Sequence, residues 1–166
     1  MPRTYTVRKA SRASQPMAVL PGGDTLSDTG GVRAAGSLRI LVADDHPVNQ
    51  QLLMLLLTRM GHHTTLCDNG QSALNWLASA HFDLVLMDIE MPVLDGLAAL
   101  RALRQTQIGV RRTPVIALTA NCASSIRGQA FDAGADDFVA KPLDPAELHR
   151  AMIRLLPAVG DRRPGN

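Results

Sequence analysis

Five polar residues directly follow apolar runs of the sequence and have side chains suited to phosphoryl chemistry: Asp44, Asp45, Asp88, Thr119 and Lys141. Three carboxylates that meet in one crevice repel one another, and a bound divalent cation or a raised pKa relieves that repulsion. Ligand sets made only of oxygen favour Mg²⁺ over Zn²⁺. The three acidic residues therefore predict a magnesium site.

The other two residues suit the remaining half of a phosphoryl group. Lys141 can neutralise the phosphoryl oxygens and Thr119 can donate a hydrogen bond to them. Asp88 is then the predicted nucleophile, because a carboxylate that attacks phosphorus forms an acyl phosphate. A Mg²⁺ ion between the carboxylates and the phosphoryl oxygens would shield the attacking carboxylate and neutralise charge during the transfer.

Taken singly, these residues also have ordinary structural interpretations. An Asp after a strand commonly forms a turn or caps a helix. Thr119 alone can cap the following helix, and Lys141 alone can be a solvated charge. His46, beside the acidic pair, is interpreted first as a surface residue, although it could add a titrating group at the rim. The combination at successive strand ends carries the prediction.

Apolar runs that alternate with helical patterns must position these side chains. The runs predict five strands, at 38–43, 63–67, 83–87, 114–118 and 136–140. A helix is predicted after each strand, with residues suited to its first turn at Pro47, Asn69, Asp95 and Asp144. Asp144 and Glu147 form a variant of the capping box.

Two further features define the helices. Gly61 and Gly134 can adopt the left-handed conformation that ends a helix. The apolar residues of the first helix that recur at helical spacing, and so predict its buried face, are Val48, Leu52, Leu55, Leu56 and Met60.

Near-continuous apolar strands that alternate with helices indicate a doubly wound α/β fold, with a parallel sheet covered on both faces. In such sheets ligands bind beyond the carboxyl ends of the strands, where the strand order reverses. All five polar residues named above fall at that edge.

Length and composition limit the classes of protein that fit. The chain has 166 residues, of which 46% are hydrophobic and 19% charged, which is enough apolar material for one domain. No run approaches the roughly 20 apolar residues that span a bilayer, and no secretory signal is apparent. We therefore expect a cytoplasmic protein without membrane contact. Two cysteines, Cys67 and Cys122, match neither a disulfide framework nor a metal site.

The net charge of +2 is unevenly distributed. Residues 1–37 carry a net +3 and residues 157–166 a net +1, whereas residues 38–156 carry a net −2. The acidic folded part gives no support for nucleic-acid binding. We expect residues 1–37 to be a flexible basic linker or disordered arm, and residues 157–166 a disordered tail.

Four segments, in this order, resemble the receiver domain of two-component response regulators. They are Ile40-Leu41-Val42-Ala43-Asp44-Asp45, Leu86-Met87-Asp88-Ile89-Glu90-Met91-Pro92-Val93-Leu94-Asp95-Gly96, Ile116-Ala117-Leu118-Thr119-Ala120 and Phe138-Val139-Ala140-Lys141-Pro142. The resemblance covers residues 38–156. It implies a flavodoxin-like sheet of five parallel strands in the order 2-1-3-4-5, with five helices on both faces.

The resemblance also implies roles for the acidic residues. Asp88 is the phosphoacceptor, which takes its phosphoryl group from a phosphohistidine on a partner. Asp45 and Asp88 bind Mg²⁺ directly, together with the backbone carbonyl of Glu90, and Asp44 holds the metal through water.

The remaining motif residues have implied roles in switching. Thr119 and Lys141 contact the phosphoryl oxygens, and a cis peptide before Pro142 aims the lysine. Phe138 is the switch aromatic, although it can equally be an ordinary core residue. Glu90 and Asn121 occupy positions that tune dephosphorylation in the family.

As a receiver, the chain would be a phosphoacceptor signalling domain rather than an enzyme, although it would assist its own phosphorylation and dephosphorylation. Its partner would be a histidine kinase or a histidine phosphotransfer domain, and its output face the last two helices with the strand between them. Leu156 lies ten residues from the end, so we expect no output domain. A stand-alone receiver and the receiver of a hybrid kinase both fit, the motifs being more like the hybrid kinases. The output partner and the oligomeric state stay open.

Three alternatives remain at this point. A haloacid-dehalogenase-like phosphatase uses the same residue types, but its nucleophile follows the first strand rather than the third. An interaction module that never takes phosphate would not need the complete set of polar residues. A dinucleotide-binding domain would have a glycine-rich loop in place of Asp44-Asp45.

Overall fold

Strands and helices alternate along the computed structural model, which describes residues 36–108, 112–120 and 123–156. The strands are β1 (Arg39–Ala43), β2 (His63–Cys67), β3 (Leu84–Asp88), β4 (Val115–Thr119) and β5 (Asp137–Ala140). The helices are α1 (Pro47–Arg59), α2 (Gly70–Ser79), α3 (Gly96–Thr106), α4 (Ser124–Asp132) and α5 (Pro145–Leu155). The expectations for residues 1–35 and 157–166, and those for Asn121 and Cys122, lie outside the described residues.

The strands form one parallel sheet in the order β2-β1-β3-β4-β5, which confirms the predicted fold. The chain leaves β1 toward β2 on one side and returns to β3 on the other. The strand order therefore reverses between β1 and β3, and a crevice opens beyond their carboxyl ends.

Each face of the sheet is covered by its own set of helices. Buried residues of α1 and α5, among them Leu53, Leu57, Leu148 and Met152, pack on one face. Buried residues of α2, α3 and α4, among them Ala73, Leu100, Leu103 and Ala130, pack on the other. Because both faces are covered, the three central strands β1, β3 and β4 are apolar almost throughout, and polar groups accumulate at their ends.

The structure confirms the predicted starts of α2, α3 and α5. The side chains of Asn69, Asp95 and Asp144 each accept a hydrogen bond from a backbone N–H in the first turn of α2, α3 and α5. These bonds satisfy donors that have no partner inside a helix. For Asp144 the donor is the amide of Ala146, so the bond is shorter in sequence than the one in a capping box.

Two helices end as the glycines predict. Gly61 follows α1 with φ of 85°, and Gly134 follows α4 with φ of 105°. An L side chain rarely adopts this region, whereas glycine enters it at little cost.

The predicted face of α1 is confirmed only in part, because Met60 packs against the core whereas Val48, Leu52 and Leu55 are exposed. Val48 and Leu55 are 76% and 53% exposed, while Leu53 and Leu57 are fully buried. The helix carries leucines on several faces, so its periodicity fits two faces about one residue apart. Packing against the sheet selects the face that carries Leu53 and Leu57.

No helix among the described residues is long and apolar enough to cross a membrane.

Candidate functional site

The carboxyl edge of the sheet brings the five predicted polar residues to the ends of four strands. Asp44 and Asp45 follow β1 directly, and Lys141 follows β5. Asp88 and Thr119 are the last residues of β3 and β4, one position earlier relative to the strand ends than the apolar runs predict. Each of the two residues pairs with the neighbouring strand, because β3 and β4 extend beyond their apolar stretch.

Asp44 is fully buried, and its carboxylate accepts several hydrogen bonds. The backbone N–H of His46 donates to Oδ1 over 2.9 Å, and Asn49 Nδ2 lies 3.2 Å from Oδ1 and 3.3 Å from Oδ2. Lys141 Nζ donates to Oδ2 over 2.7 Å. These donors compensate the loss of water around the charge. They also occupy the oxygens that direct coordination of a metal would use.

Asp88 is the second buried carboxylate, with 4% of its surface exposed. Lys141 Nζ lies 2.5 Å from its Oδ2, and the amide of Glu90 donates to its Oδ1 over 3.1 Å. Burial raises the pKa of Asp88, and the ammonium of Lys141 and the amide of Glu90 counteract part of that increase. The negative charge of Asp44 raises the pKa of Asp88 further. The Asp88 carboxylate is thus held by one cation, Lys141, in a crowded anionic site.

Lys141 joins the two buried carboxylates from the end of β5. Burial disfavours its charge, but the hydrogen bonds and charges of Asp44 and Asp88 outweigh this, and the pKa of Lys141 is raised. Its peptide bond to Pro142 is cis, the isomer that the resemblance implies. The amide of Lys141 also donates to the carbonyl of Thr119 over 2.7 Å, which joins this turn to the end of β4.

The donor atoms of the site fit a divalent cation. One ligand atom each from Asp44, Asp45, His46 and Asp88 lies within 4.8 Å of the others. Asp45 is the most exposed of the three carboxylates, with 28% of its side chain accessible to solvent. Carboxylate oxygens at this spacing suit a hard cation such as Mg²⁺. Glu90 follows Asp88 on the exposed side of the same loop.

Thr119 ends β4 next to the end of β3, and Phe138 lies on β5 in register with Ala117. Thr119 is 3% exposed, and its neighbour Leu118 is in register with Asp88. Phe138 is partly buried, with the Arg127 guanidinium 4.1 Å from its ring centroid. A second ring, that of Phe131, meets it edge to face, with the centroids 6.2 Å apart. Thr119 therefore lies next to the site, whereas Phe138 belongs to a small cluster on α4 and β5.

Gly96 supports Asp88 in a way that the sequence did not reveal. A Cβ at this position would lie 2.0 Å from the carbonyl oxygen of Asp88 and 2.9 Å from its carbonyl carbon. The amide of Gly96 donates to the carbonyl of Ile89 over 2.9 Å. The start of α3 thus packs against the backbone of Asp88, and only glycine permits this approach. A glycine directly after a capping Asp is the available signal.

Gln50 is a second residue whose role was missed. Its Nε2 donates to the carbonyls of Asp44 and Cys67 over 2.6 and 3.1 Å, so it ties the ends of β1 and β2 together from α1. The side chain is buried with 8% exposure. A buried amide on a leucine-rich helix is unusual unless its hydrogen bonds are satisfied, and it marks the side that faces the site.

Comparison with known proteins gives consistent matches. The family described as the response regulator receiver domain matches residues 40–153. The chain is 37% identical over 124 residues to the signal transduction histidine-protein kinase BarA of Shigella flexneri, and 36% identical over 118 residues to the sensor histidine kinase GacS of Pseudomonas protegens. These alignments cover 75% and 70% of this chain, and in each case 13% of the kinase. The chain thus spans a small part of the length of these relatives.

Solved structures agree. The receiver domain of the sensor histidine kinase PA1611 from Pseudomonas aeruginosa, crystallised with a magnesium ion coordinated in its active-site cleft, is 39% identical with a TM-score of 0.66. That match covers 72% of this chain and 97% of the other. The chemotaxis protein CheY4 of Vibrio cholerae is 27% identical with a TM-score of 0.66, over 71% of this chain and 98% of that one.

Proposed function

The chain belongs to the response regulator receiver domain family of two-component signalling, and on that basis we propose that Asp88 is its phosphoacceptor. The observation that carries this proposal is the bridge from Lys141 to Asp44 and Asp88. The bridge fixes the buried carboxylate of Asp88 at the end of β3. It also places the Lys141 ammonium where it can pair with the negatively charged phosphoryl group. Residues 38–156 are the proposed receiver, and the exchange takes place in the cytoplasm.

In the proposed reaction, a carboxylate oxygen of Asp88 attacks the phosphorus of a phosphohistidine on a partner. The new O–P bond forms as the P–N bond breaks, and the imidazole leaves with the electron pair and takes up a proton. As the acyl phosphate forms, the Asp88 carboxylate loses its charge and no longer pairs with Lys141. The Lys141 ammonium then pairs with a phosphoryl oxygen. Thr119 donates a hydrogen bond to another oxygen. The chain acts as the acceptor and contributes to its own dephosphorylation.

The proposed cation is Mg²⁺, held by Asp45 and Asp88 with the Glu90 carbonyl, and by Asp44 through water. Bound there, it supplies positive charge to the phosphoryl oxygens during transfer. The hydrogen bonds to Asp44 support its indirect part, because its oxygens already accept from His46, Asn49 and Lys141. The greater exposure of Asp45 supports a direct one.

The phosphoryl group is proposed to change the surface through Thr119 and Phe138. It brings about −1.5 to −2 charges to the site. Movement of Thr119 toward the phosphoryl group would open space for the Phe138 ring, which now lies under Arg127 at the surface between α4 and β5. We therefore expect the readout at α4, β5 and α5.

The whole protein to which this domain contributes is part of the proposal. The donor is a histidine kinase or a histidine phosphotransfer domain, because the relatives named above are histidine kinases. Both a hybrid kinase and a stand-alone receiver fit these matches. The phosphatase alternative loses its support, because Asp88 ends the third strand along the chain and the family match accounts for the same residues.

The test is the intact mass of the protein after incubation with Mg²⁺ and acetyl phosphate. We expect one phosphate adduct that hydroxylamine removes, since hydroxylamine cleaves acyl phosphates. Asp88→Asn should remove the adduct, and so should omission of the metal. Asp95→Asn is the matched control, because Asp95 is exposed on the same loop and asparagine caps a helix equally well.

Adduct formation at an equal level in Asp88→Asn would refute the acceptor assignment. Steady turnover of a small phosphate ester by the wild-type protein would favour the phosphatase instead. Absence of any adduct despite Mg²⁺ binding would favour an interaction module that does not take phosphate.

A further inference from the structure

The imidazole of His46 lies among the three carboxylates of the site, and the roles proposed above do not use its ring. Its Nδ1 is 2.8 Å from Asp45 Oδ1 and 3.9 Å from Asp44 Oδ1. The side chain is 69% exposed, so the ring lies at the mouth of the crevice. His46 is also the N-cap residue of α1, yet its side chain makes no capping hydrogen bond. The ring is therefore turned toward the acidic group.

We propose that His46 is a nitrogen ligand, with which the site binds borderline divalent transition-metal ions such as Co²⁺, Ni²⁺ or Zn²⁺ in addition to Mg²⁺. This inference rests on the proposed metal site and extends it to a second class of cation. Carboxylates and carbonyls suit Mg²⁺, whereas imidazole suits the later transition metals, whose affinity for nitrogen sites rises along the Irving–Williams series.

The spacing of the ligand atoms supports this assignment. Two atoms that bind one such ion at about 2.0–2.2 Å each lie about 3 Å apart, depending on the coordination angle. The separation of 2.8 Å between His46 Nδ1 and Asp45 Oδ1 is close to that value. The pair can therefore close on an ion with small side-chain movements. In this pair Nδ1 donates to the Asp45 carboxylate, so coordination through Nδ1 requires the ring proton to move to Nε2.

The charge of the site also favours a cation at this position. Lys141 compensates Asp44 and Asp88 on the inner side of the crevice. Asp45 lies on the outer side, where His46 is its hydrogen-bonding partner. A divalent ion between Asp45, Asp88 and the imidazole would neutralise the outer carboxylate and leave the bond from Lys141 to Asp44 in place.

The experiment compares Co²⁺ and Mg²⁺ binding by calorimetry in the wild type, in His46→Asn and in His81→Asn. Asparagine keeps an oxygen ligand and a good N-cap but removes the ring nitrogen. His81 is the matched control, because it is exposed and its Nε2 lies 3.8 Å from Asp83 Oδ1, a histidine–carboxylate pair outside the site. The visible spectrum of bound Co²⁺, and the ¹⁵N NMR shift of His46 Nδ1 with Zn²⁺, report nitrogen coordination directly.

We expect His46→Asn to weaken Co²⁺ binding about tenfold or more. Loss of a residue that only orients a metal ligand already lowers metal affinity by about that factor. Mg²⁺ binding should change much less, and His81→Asn should match the wild type for both ions. Equal Co²⁺ affinity and an unchanged Co²⁺ spectrum in His46→Asn would overturn the inference, with the Mg²⁺ site intact. Absence of Mg²⁺ binding in all three proteins would overturn the proposed metal site itself, and the inference with it.

Discussion

Replacing Lys141 with methionine removes the one cation between two buried carboxylates while it keeps most of the side-chain volume. Lys141 Nζ lies 2.7 Å from Asp44 Oδ2 and 2.5 Å from Asp88 Oδ2, and 15% of the lysine side chain is exposed. The variant keeps both carboxylates in the crevice without their counter-charge. We expect it to be less stable at neutral pH and to be rescued by Mg²⁺.

The magnitude follows from the burial of the three groups. Two unit charges 4 Å apart interact by about 4 kcal/mol at an effective dielectric constant of 20. Removing one member of a buried ion pair costs about 3–5 kcal/mol, because the other charge is left uncompensated. Asp44 keeps the donors from His46 and Asn49, and water reaches Lys141. We therefore expect a loss near the lower end, about 3 kcal/mol.

The loss should depend on pH in a defined direction. Burial already raises the pKa of Asp88, and in the variant the opposing effect of the lysine is gone, so that pKa rises further. A carboxylate with a raised pKa in the folded protein destabilises the fold above that pKa, and protonation relieves the cost as the pH falls toward the ordinary value of 3.8. The raised pKa of Lys141 keeps the lysine charged below 10.5, so the wild type stays paired over this whole range.

Urea denaturation of both proteins at pH 7.5 and at pH 5, with and without Mg²⁺, measures these effects. The deficit of Lys141→Met should be largest at pH 7.5 without metal and should shrink at pH 5 or with Mg²⁺. Arg154→Met is the control, because Arg154 is 55% exposed and pairs with Asp137 at the surface, where an ion pair contributes about 0–1 kcal/mol. If Lys141→Met were as stable as the wild type at pH 7.5, or if its deficit grew at pH 5, the reasoning would be refuted.

Two further predictions concern packing. Gly96→Ala should lower the free energy of unfolding by about 1–3 kcal/mol or more, because the new methyl group would collide with the Asp88 carbonyl. The same collision should slow phosphorylation by acetyl phosphate. Normal stability together with a normal rate of adduct formation would contradict this prediction. In a Cys122→Ser protein, Cys67 is the remaining thiol, and burial raises its pKa to about 12. We therefore expect it not to react with a thiol reagent at pH 8 until urea unfolds the chain. Rapid reaction of the folded protein would contradict this prediction.

Much of the fold could be predicted from the sequence, because the signals that define it are local. Apolar runs of strand length, separated by helical periods, specify a parallel sheet covered on both faces. Asn69, Asp95 and Asp144 identify helix starts through bonds to amides a few residues away. The five polar residues of the candidate site were predictable for a related reason. In a sheet whose strands are buried, charged residues at successive strand ends must share one edge.

Tertiary structure alone decided how those residues interact. The buried side of α1 depends on how the helix meets the sheet, and the leucine pattern fits more than one answer, so Leu53 and Leu57 could not be chosen over Leu55 in advance. The bridge from Lys141 to two carboxylates and the approach of Gly96 to the Asp88 backbone join segments far apart in the chain or on opposite sides of a loop. Such contacts leave no periodic signal, because distance in space rather than spacing in sequence determines them.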